Sequence, residues 1–183
     1  RAIDHASRVD RLALMSCAHW FGPYTRQIVQ LLGQALRHFP RDKYERMLAV
    51  LGTSPRYLDT HPEFIDEKLG RVQCDLTSRK AIARQLRCIG FDDLGGPRYH
   101  IAAPTLIISG RHDVLIPSRY AEAMARDISN SRLVIVPDCG HNPLIEKPEV
   151  VLPEIKRFLS DASAAKFVPQ PAMAYQLPIE EFV

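Results

Sequence analysis

Three short apolar runs constrain this chain more than any other feature. They are Leu12 to Cys17 (LALMSC), Thr105 to Ser109 (TLIIS) and Leu133 to Val136 (LVIV). Each is too short for a typical globular helix, and the second and third are rich in Ile, Val and Thr, which favour pleated backbone. None alternates apolar with polar residues, so each reads as a strand buried on both faces, as strands of parallel sheets are. Between the second and third runs, Tyr120, Ala121, Met124, Ala125 and Ile128 recur at helical spacing behind Ser118, a candidate cap. After the third run, Glu149 to Leu159 reads as another helix, with Pro153 expected to kink it or to move its start to about Leu152. Strand, helix, strand, helix in that order predicts right-handed βαβ units, a parallel sheet and an α/β fold.

The interval between the first two runs has a different texture. Ile28, Leu31, Leu32, Ala35, Leu36 and Phe39 form a helical stripe that Pro40 ends. Asp42 can cap a second helix carrying Tyr44, Met47, Leu48 and Leu51. Thr60-His61-Pro62-Glu63 reads as a capping box for a third with Phe64, Ile65 and Leu69. Ser78 can cap a fourth, with Ile82, Leu86 and Ile89, stopping at Gly90. We therefore divide the chain into a core segment at 1–22, a helical insertion at 23–90, a second core segment at 91–160 and a tail at 161–183. Residues 92–100 form a Gly/Pro-rich loop at the start of the second core segment.

A chain with 46% hydrophobic and 25% charged residues and a net charge of +3 is not disordered. It has no apolar run long enough for a membrane span. Its Lys and Arg residues are interleaved with Asp and Glu, not clustered into a stripe, so nucleic acid is not an expected partner. Cys17, Cys74, Cys88 and Cys139 form no C-x-x-C pair, which fits reduced thiols, and no metal-ligand spacing or cofactor fingerprint is present. No signal-peptide pattern follows Arg1; the expected location is the cytoplasm, with the true start of the protein upstream.

Two loops carry chemistry. Gly110-Arg111-His112-Asp113 follows the second run, and Pro137-Asp138-Cys139-Gly140-His141-Asn142-Pro143 follows the third. Both leave the C-terminal edge of the expected sheet, where ligands bind in open α/β folds. An acid on one loop can meet a histidine on the next; a carboxylate on one imidazole nitrogen fixes the tautomer and leaves the other free as a base. Asp113 and His141 are accordingly the candidate catalytic pair. His112 reads as a surface residue, Asp138 as too close to His141 in sequence to pair with it, and Ser16 and Ser109 as strand ends. Trp20 and Phe21 leave the first strand where an apolar pocket could begin, and are candidate substrate-binding residues.

The segments P-T-L-I-I-S-G-R-H-D-V-L-I-P and V-I-V-P-D-C-G-H-N-P-L-I-E-K-P-E resemble the acid and histidine segments of the α/β-hydrolase superfamily. Arg8-Val9-Asp10-Arg11-Leu12-Ala13-Leu14-Met15 resembles that fold's sixth strand, and the helical insertion resembles its cap. The resemblance implies a partial α/β-hydrolase fold, parallel strands with flanking helices and a helical cap insertion. It assigns His141 as general base, Asp113 as its orienting acid and Gly140 as the gap through which the histidine loop approaches the nucleophile. It also implies a serine hydrolase cleaving a carboxylic ester, thioester or lactone, with a small hydrophobic or amphipathic substrate and no cofactor. The family's G-x-S-x-G elbow is absent, as are its Cys and Asp variants. The chain thus reads as the C-terminal half of a hydrolase, inactive alone, with the nucleophile expected upstream. The alternatives are other chemistry on the same scaffold (dehalogenation, epoxide opening, C–C cleavage or acyl transfer) and a non-catalytic binding module.

Overall fold

Successive side chains of a strand point to opposite faces, so an all-apolar strand needs a cover on both sides. The computed structural model, which describes residues 5–71, 76–91 and 101–160, meets that need with helices. Strands β1 (Leu12–Met15), β2 (Thr105–Gly110) and β3 (Ser131–Val136) form a parallel sheet in that order, with β2 central. On one face Leu106, Ile108, Val134 and Val136 pack with Val151 and Phe158 of α8 (Pro148–Ser160). On the other, Ile107, Leu133 and Ile135 pack with Ala121 and Met124 of α6 (Arg119–Asp127). Every residue of β2 is buried. Each large aliphatic side chain so removed from water contributes about 1.5–3 kcal/mol.

The remaining helices are α1 (Pro23–His38), α2 (Arg41–Leu51), α3 (Pro55–Thr60), α4 (Phe64–Arg71), α5 (Leu76–Phe91) and the single turn α7 (Pro143–Glu146). The first five lie between β1 and β2 in the chain. They hold a small core of their own, Ala35, Leu36 and Tyr44, with Met47, Leu48, Ile82 and Leu86 against it.

Several element ends differ from the sequence reading, for local reasons. β1 stops at Met15 because Ser16 takes a φ of 46°, left-handed backbone in which a strand cannot continue. β3 starts at Ser131 because the ladder pairs Thr105 with Ser131 and Leu106 with Arg132; pairing, not hydrophobicity, sets that end. Pro40, not Asp42, is the residue before α2, and no side chain caps it. Thr60 caps nothing: its hydroxyl donates back to the carbonyls of Arg56 and Tyr57, closing α3, which the sequence reading lacked. The cap of α3 is Ser54, whose Oγ accepts from Tyr57 N. Ser78 lies inside α5, which runs one residue past Gly90. Ser118 precedes α6, but its hydroxyl makes no capping bond. α8 begins at Pro148 and carries Pro153 within it. The expected loop at 92–100, the tail at 161–183 and Cys74 lie outside the described residues.

Two glycines contrast sharply. A Cβ built on Gly110 would lie 2.0 Å from the carbonyl oxygen of Gly140 and 2.4 Å from that of Cys139. One built on Gly33, inside α1, would meet only the Arg37 guanidinium at 3.8 Å. We expect Gly110→Ala to cost about 1–3 kcal/mol by forcing two backbones apart. Gly33→Ala should stabilise by roughly 0.5–1 kcal/mol through lost unfolded-state freedom. Urea unfolding of the two variants checks both signs; an unperturbed Gly110→Ala midpoint would refute the close approach.

Candidate active site

The acid loop leaves β2 already attached to the histidine loop. Arg111 N donates to Val136 O at 2.9 Å, extending the β2–β3 ladder by one rung, and His112 N donates to Cys139 O at 2.8 Å. With Gly110 beneath Gly140, the two loops run side by side for several residues. That places Asp113 opposite His141, whose Nδ1 lies 2.8 Å from Asp113 Oδ2.

The Asp113 side chain has no exposed surface, so its lone pairs must be satisfied from within. Oδ1 accepts from the backbone of Leu115 at 2.9 Å and Ile116 at 2.8 Å, in the turn that leads to α6. Those two bonds aim Oδ2 at the imidazole. An acid on Nδ1 makes that nitrogen the donor and leaves Nε2 the acceptor. Nε2 has no hydrogen-bond partner among the described residues, and the side chain is 30% exposed. The pair can therefore take a proton from a group brought to Nε2 and stabilise the imidazolium that results.

The other candidates fall elsewhere. Asp138, at a left-handed φ of 48°, pairs with Arg56 at 2.7 Å and lies 3.7 Å from exposed His112. It therefore competes for His112, not His141. The hydroxyls of Ser16 and Ser109 are buried without a hydrogen-bond partner among the described residues. Trp20 stands edge-on to Tyr120 of α6, with ring centroids 5.1 Å apart, and Tyr120 Oη accepts from Gly22 N at 3.1 Å. These contacts anchor the chain where it enters α1. Phe21 offers its carbonyl to Arg26. The structure does not bring either aromatic residue onto the Asp113–His141 pair through a hydrogen bond or ring contact.

Sequence reasoning missed the support beneath His141. The turn between α2 and α3 reaches across: Gly52 O accepts from His141 N at 3.1 Å and from Asn142 Nδ2 at 2.6 Å. Gly140 explains itself there, since a Cβ would lie 2.8 Å from Ser54 N and 2.9 Å from the Thr53 carbonyl carbon. Its missing side chain thus makes room for this turn. Glu146, which Lys147 and Glu149 follow closely in the sequence, is 4% exposed and lies beneath the same loop. No periodicity marks such an acid as buried. Among the described residues no cluster of three or more His, Cys, Asp or Glu side chains could hold a metal ion, and no helix is long and apolar enough to cross a membrane.

Residues 2–148 match the model of the alpha/beta hydrolase fold family, and the chain belongs to that family. It is 28% identical over 173 residues to a 2-hydroxymuconate semialdehyde hydrolase of Pseudomonas putida, covering 89% of this chain and 58% of that protein. Over 64 residues it is 36% identical to a pimeloyl-[acyl-carrier protein] methyl ester esterase of Nitrosomonas europaea, covering 35% of this chain and 25% of that protein. Among solved structures, an alpha/beta hydrolase from a Medee basin deep-sea metagenome library superposes with a TM-score of 0.78 at 20% identity. That match covers 96% of this chain and 62% of its counterpart. The enol-lactonase of Burkholderia xenovorans superposes with a TM-score of 0.74 at 22% identity, over 87% and 60% of the two chains. The chain thus spans less than two thirds of the length of these relatives.

Cys17, Cys88 and Cys139 are free thiols. Burial pushes the Cys17 thiol up to about 11. Burial, reinforced by the Glu146 and Asp113 carboxylates, pushes Cys139 up as well. Alkylation needs the thiolate, which for Cys17 at pH 8 is on the order of one part in a thousand. In native protein at pH 8, iodoacetamide should label exposed Cys88 well before Cys17 or Cys139, with Cys17 labelling rising steeply towards pH 11. Peptide mass spectrometry reads the order, and early labelling of Cys139 would contradict the packing described here.

Proposed function

We propose that this chain is the acid- and histidine-bearing part of a serine hydrolase that cleaves a carboxylic ester, thioester or lactone. The observation that carries the reading is the 2.8 Å bond from Asp113 to His141 Nδ1, with Nε2 left unpartnered among the described residues at the C-terminal edge of a parallel sheet. In the reaction His141 takes the proton of a serine hydroxyl as it attacks the carbonyl. It then returns the proton to the leaving group, while Asp113 holds the tautomer and stabilises the imidazolium. The serine belongs to a G-x-S-x-G elbow that residues 1–183 do not contain, and these residues alone should show no ester turnover. The helices α1–α5, spanning most of the insertion at 23–90, act as the cap over the substrate. Trp20, with 38% of its surface exposed, and Phe21 offer apolar surface to the acyl group. A small hydrophobic or amphipathic substrate fits that surface.

A second reading is favoured by the longer of the two sequence alignments described above, that with the 2-hydroxymuconate semialdehyde hydrolase. It keeps the same pair and replaces the ester by a carbon–carbon bond next to a carbonyl. Parallel assays on an aryl ester and on a 2-hydroxymuconate semialdehyde discriminate the two.

In the enzyme that includes the nucleophile, His141→Ala and Asp113→Asn should each lower kcat by roughly 10³–10⁴-fold, because base and nucleophile act as a unit. Ser16→Ala and Ser109→Ala should retain near-normal rates. A His141→Ala enzyme of ordinary activity would remove the pair from the mechanism. Ester turnover by residues 1–183 alone that vanishes with Ser16→Ala or Ser109→Ala would relocate the nucleophile.

A further inference from the structure

The Glu146 carboxylate is buried and acts through three backbone donors drawn from two different parts of the chain. Oε2 accepts from Ser54 N at 2.8 Å, both oxygens accept from Gly140 N at 3.0 Å, and Oε1 accepts from Asn142 N at 3.3 Å. Gly140 and Asn142 flank His141. Ser54 belongs to the turn between α2 and α3, and that same turn offers Gly52 O to His141 N and Asn142 Nδ2. Residues 141 and 142 therefore donate directly to Gly52 O, and the carboxylate ties the two segments a second time by accepting from Ser54, Gly140 and Asn142 at once.

Hydrogen bonds to a buried carboxylate are stronger than neutral ones, and leaving such a charge unsatisfied is costly. The carboxylate therefore fixes the histidine backbone on both sides of His141, just as Leu115 and Ile116 fix the acid. We infer that Glu146 is a positioning residue for His141, and that through Ser54 it locks the histidine loop to the helical insertion so that the two move as one body. The inference deepens the hydrolase reading above and rests on it for its kinetic consequence. Its structural consequence stands by itself.

Glu146→Gln tests both. Gln has nearly the same shape, but it turns one of the two acceptor oxygens into an NH₂ group facing backbone N–H donors. In the enzyme that includes the nucleophile, kcat should fall by about 10–100-fold, the loss that goes with a reacting group displaced by up to an ångström, while KM changes by less than about threefold. Amide hydrogen exchange at Ser54, Gly140 and His141 should accelerate together by at least about tenfold, while exchange at Ile107 in β2 stays unchanged. Should Glu146→Gln fail to fold, Glu146→Asp keeps the charge but draws the carboxylate back by one methylene, out of reach of donors it now meets at 2.8–3.3 Å. Glu146→Asp should then show the same kcat loss and the same coupled exchange. Unchanged exchange at Gly140 and His141 would overturn the positioning role whatever the kinetics. Accelerated exchange with normal kcat would overturn its link to catalysis. A parent enzyme that turns over neither substrate class would instead sink the hydrolase reading, and the exchange experiment would still decide whether Glu146 joins the two segments.

Discussion

The Asp113 side chain has no contact with solvent, and a carboxylate taken wholly out of water must be repaid by hydrogen bonds from the protein. Three arrive: two from the backbone of its own turn and one from the His141 ring. Those bonds require the acid loop to fold back on itself and the histidine loop to lie within bonding distance, which in turn requires Gly110 to pass the Cys139 and Gly140 carbonyls without a side chain. The parallel register of β2 and β3 delivers both loops to the same edge. The charge of one buried acid thus sets the course of two loops and the tautomer of one histidine.

The sheet and the acid–histidine pair were legible in the sequence because their signals are local. Runs such as TLIIS and LVIV have no polar residue between their ends to place outward, so they read as strands buried on both faces, and Asp113 and His141 each follow such a strand at its end. Helix ends were less legible, because a hydroxyl chooses its partner from the backbone angles around it. Thr60 turns back to Arg56 and Tyr57, and Ser54, which did not stand out in the sequence, caps α3 instead. Glu146 and the Gly52–Ser54 turn were not legible at all. Their role depends on a contact between segments about ninety residues apart, and an acid among charged neighbours such as Lys147 and Glu149 reads as a surface residue. Gly140 was read as room for a nucleophile; in the structure its open side faces Thr53 and Ser54.

The helical insertion is joined to the histidine loop by hydrogen bonds. It has its own small core in α1, α2 and α5, yet it reaches the histidine through one short turn. Elements with separate cores can shift relative to one another more easily than elements sharing one, and a buried carboxylate at the joint resists that shift. The loops of the sheet carry Asp113 and His141, and the insertion contacts the histidine loop through Gly52 and Ser54.

The central claim is that Asp113 holds His141 with Nδ1 protonated and Nε2 free to accept a proton. ¹⁵N-resolved NMR of the imidazole reads the tautomer directly once the ring is neutral. We predict a protonated Nδ1 and a bare Nε2 in the parent protein, and loss of that preference in Asp113→Asn. A neutral ring carrying its proton on Nε2, or a tautomer indifferent to the Asp113 substitution, would contradict the pairing on which the proposed chemistry depends.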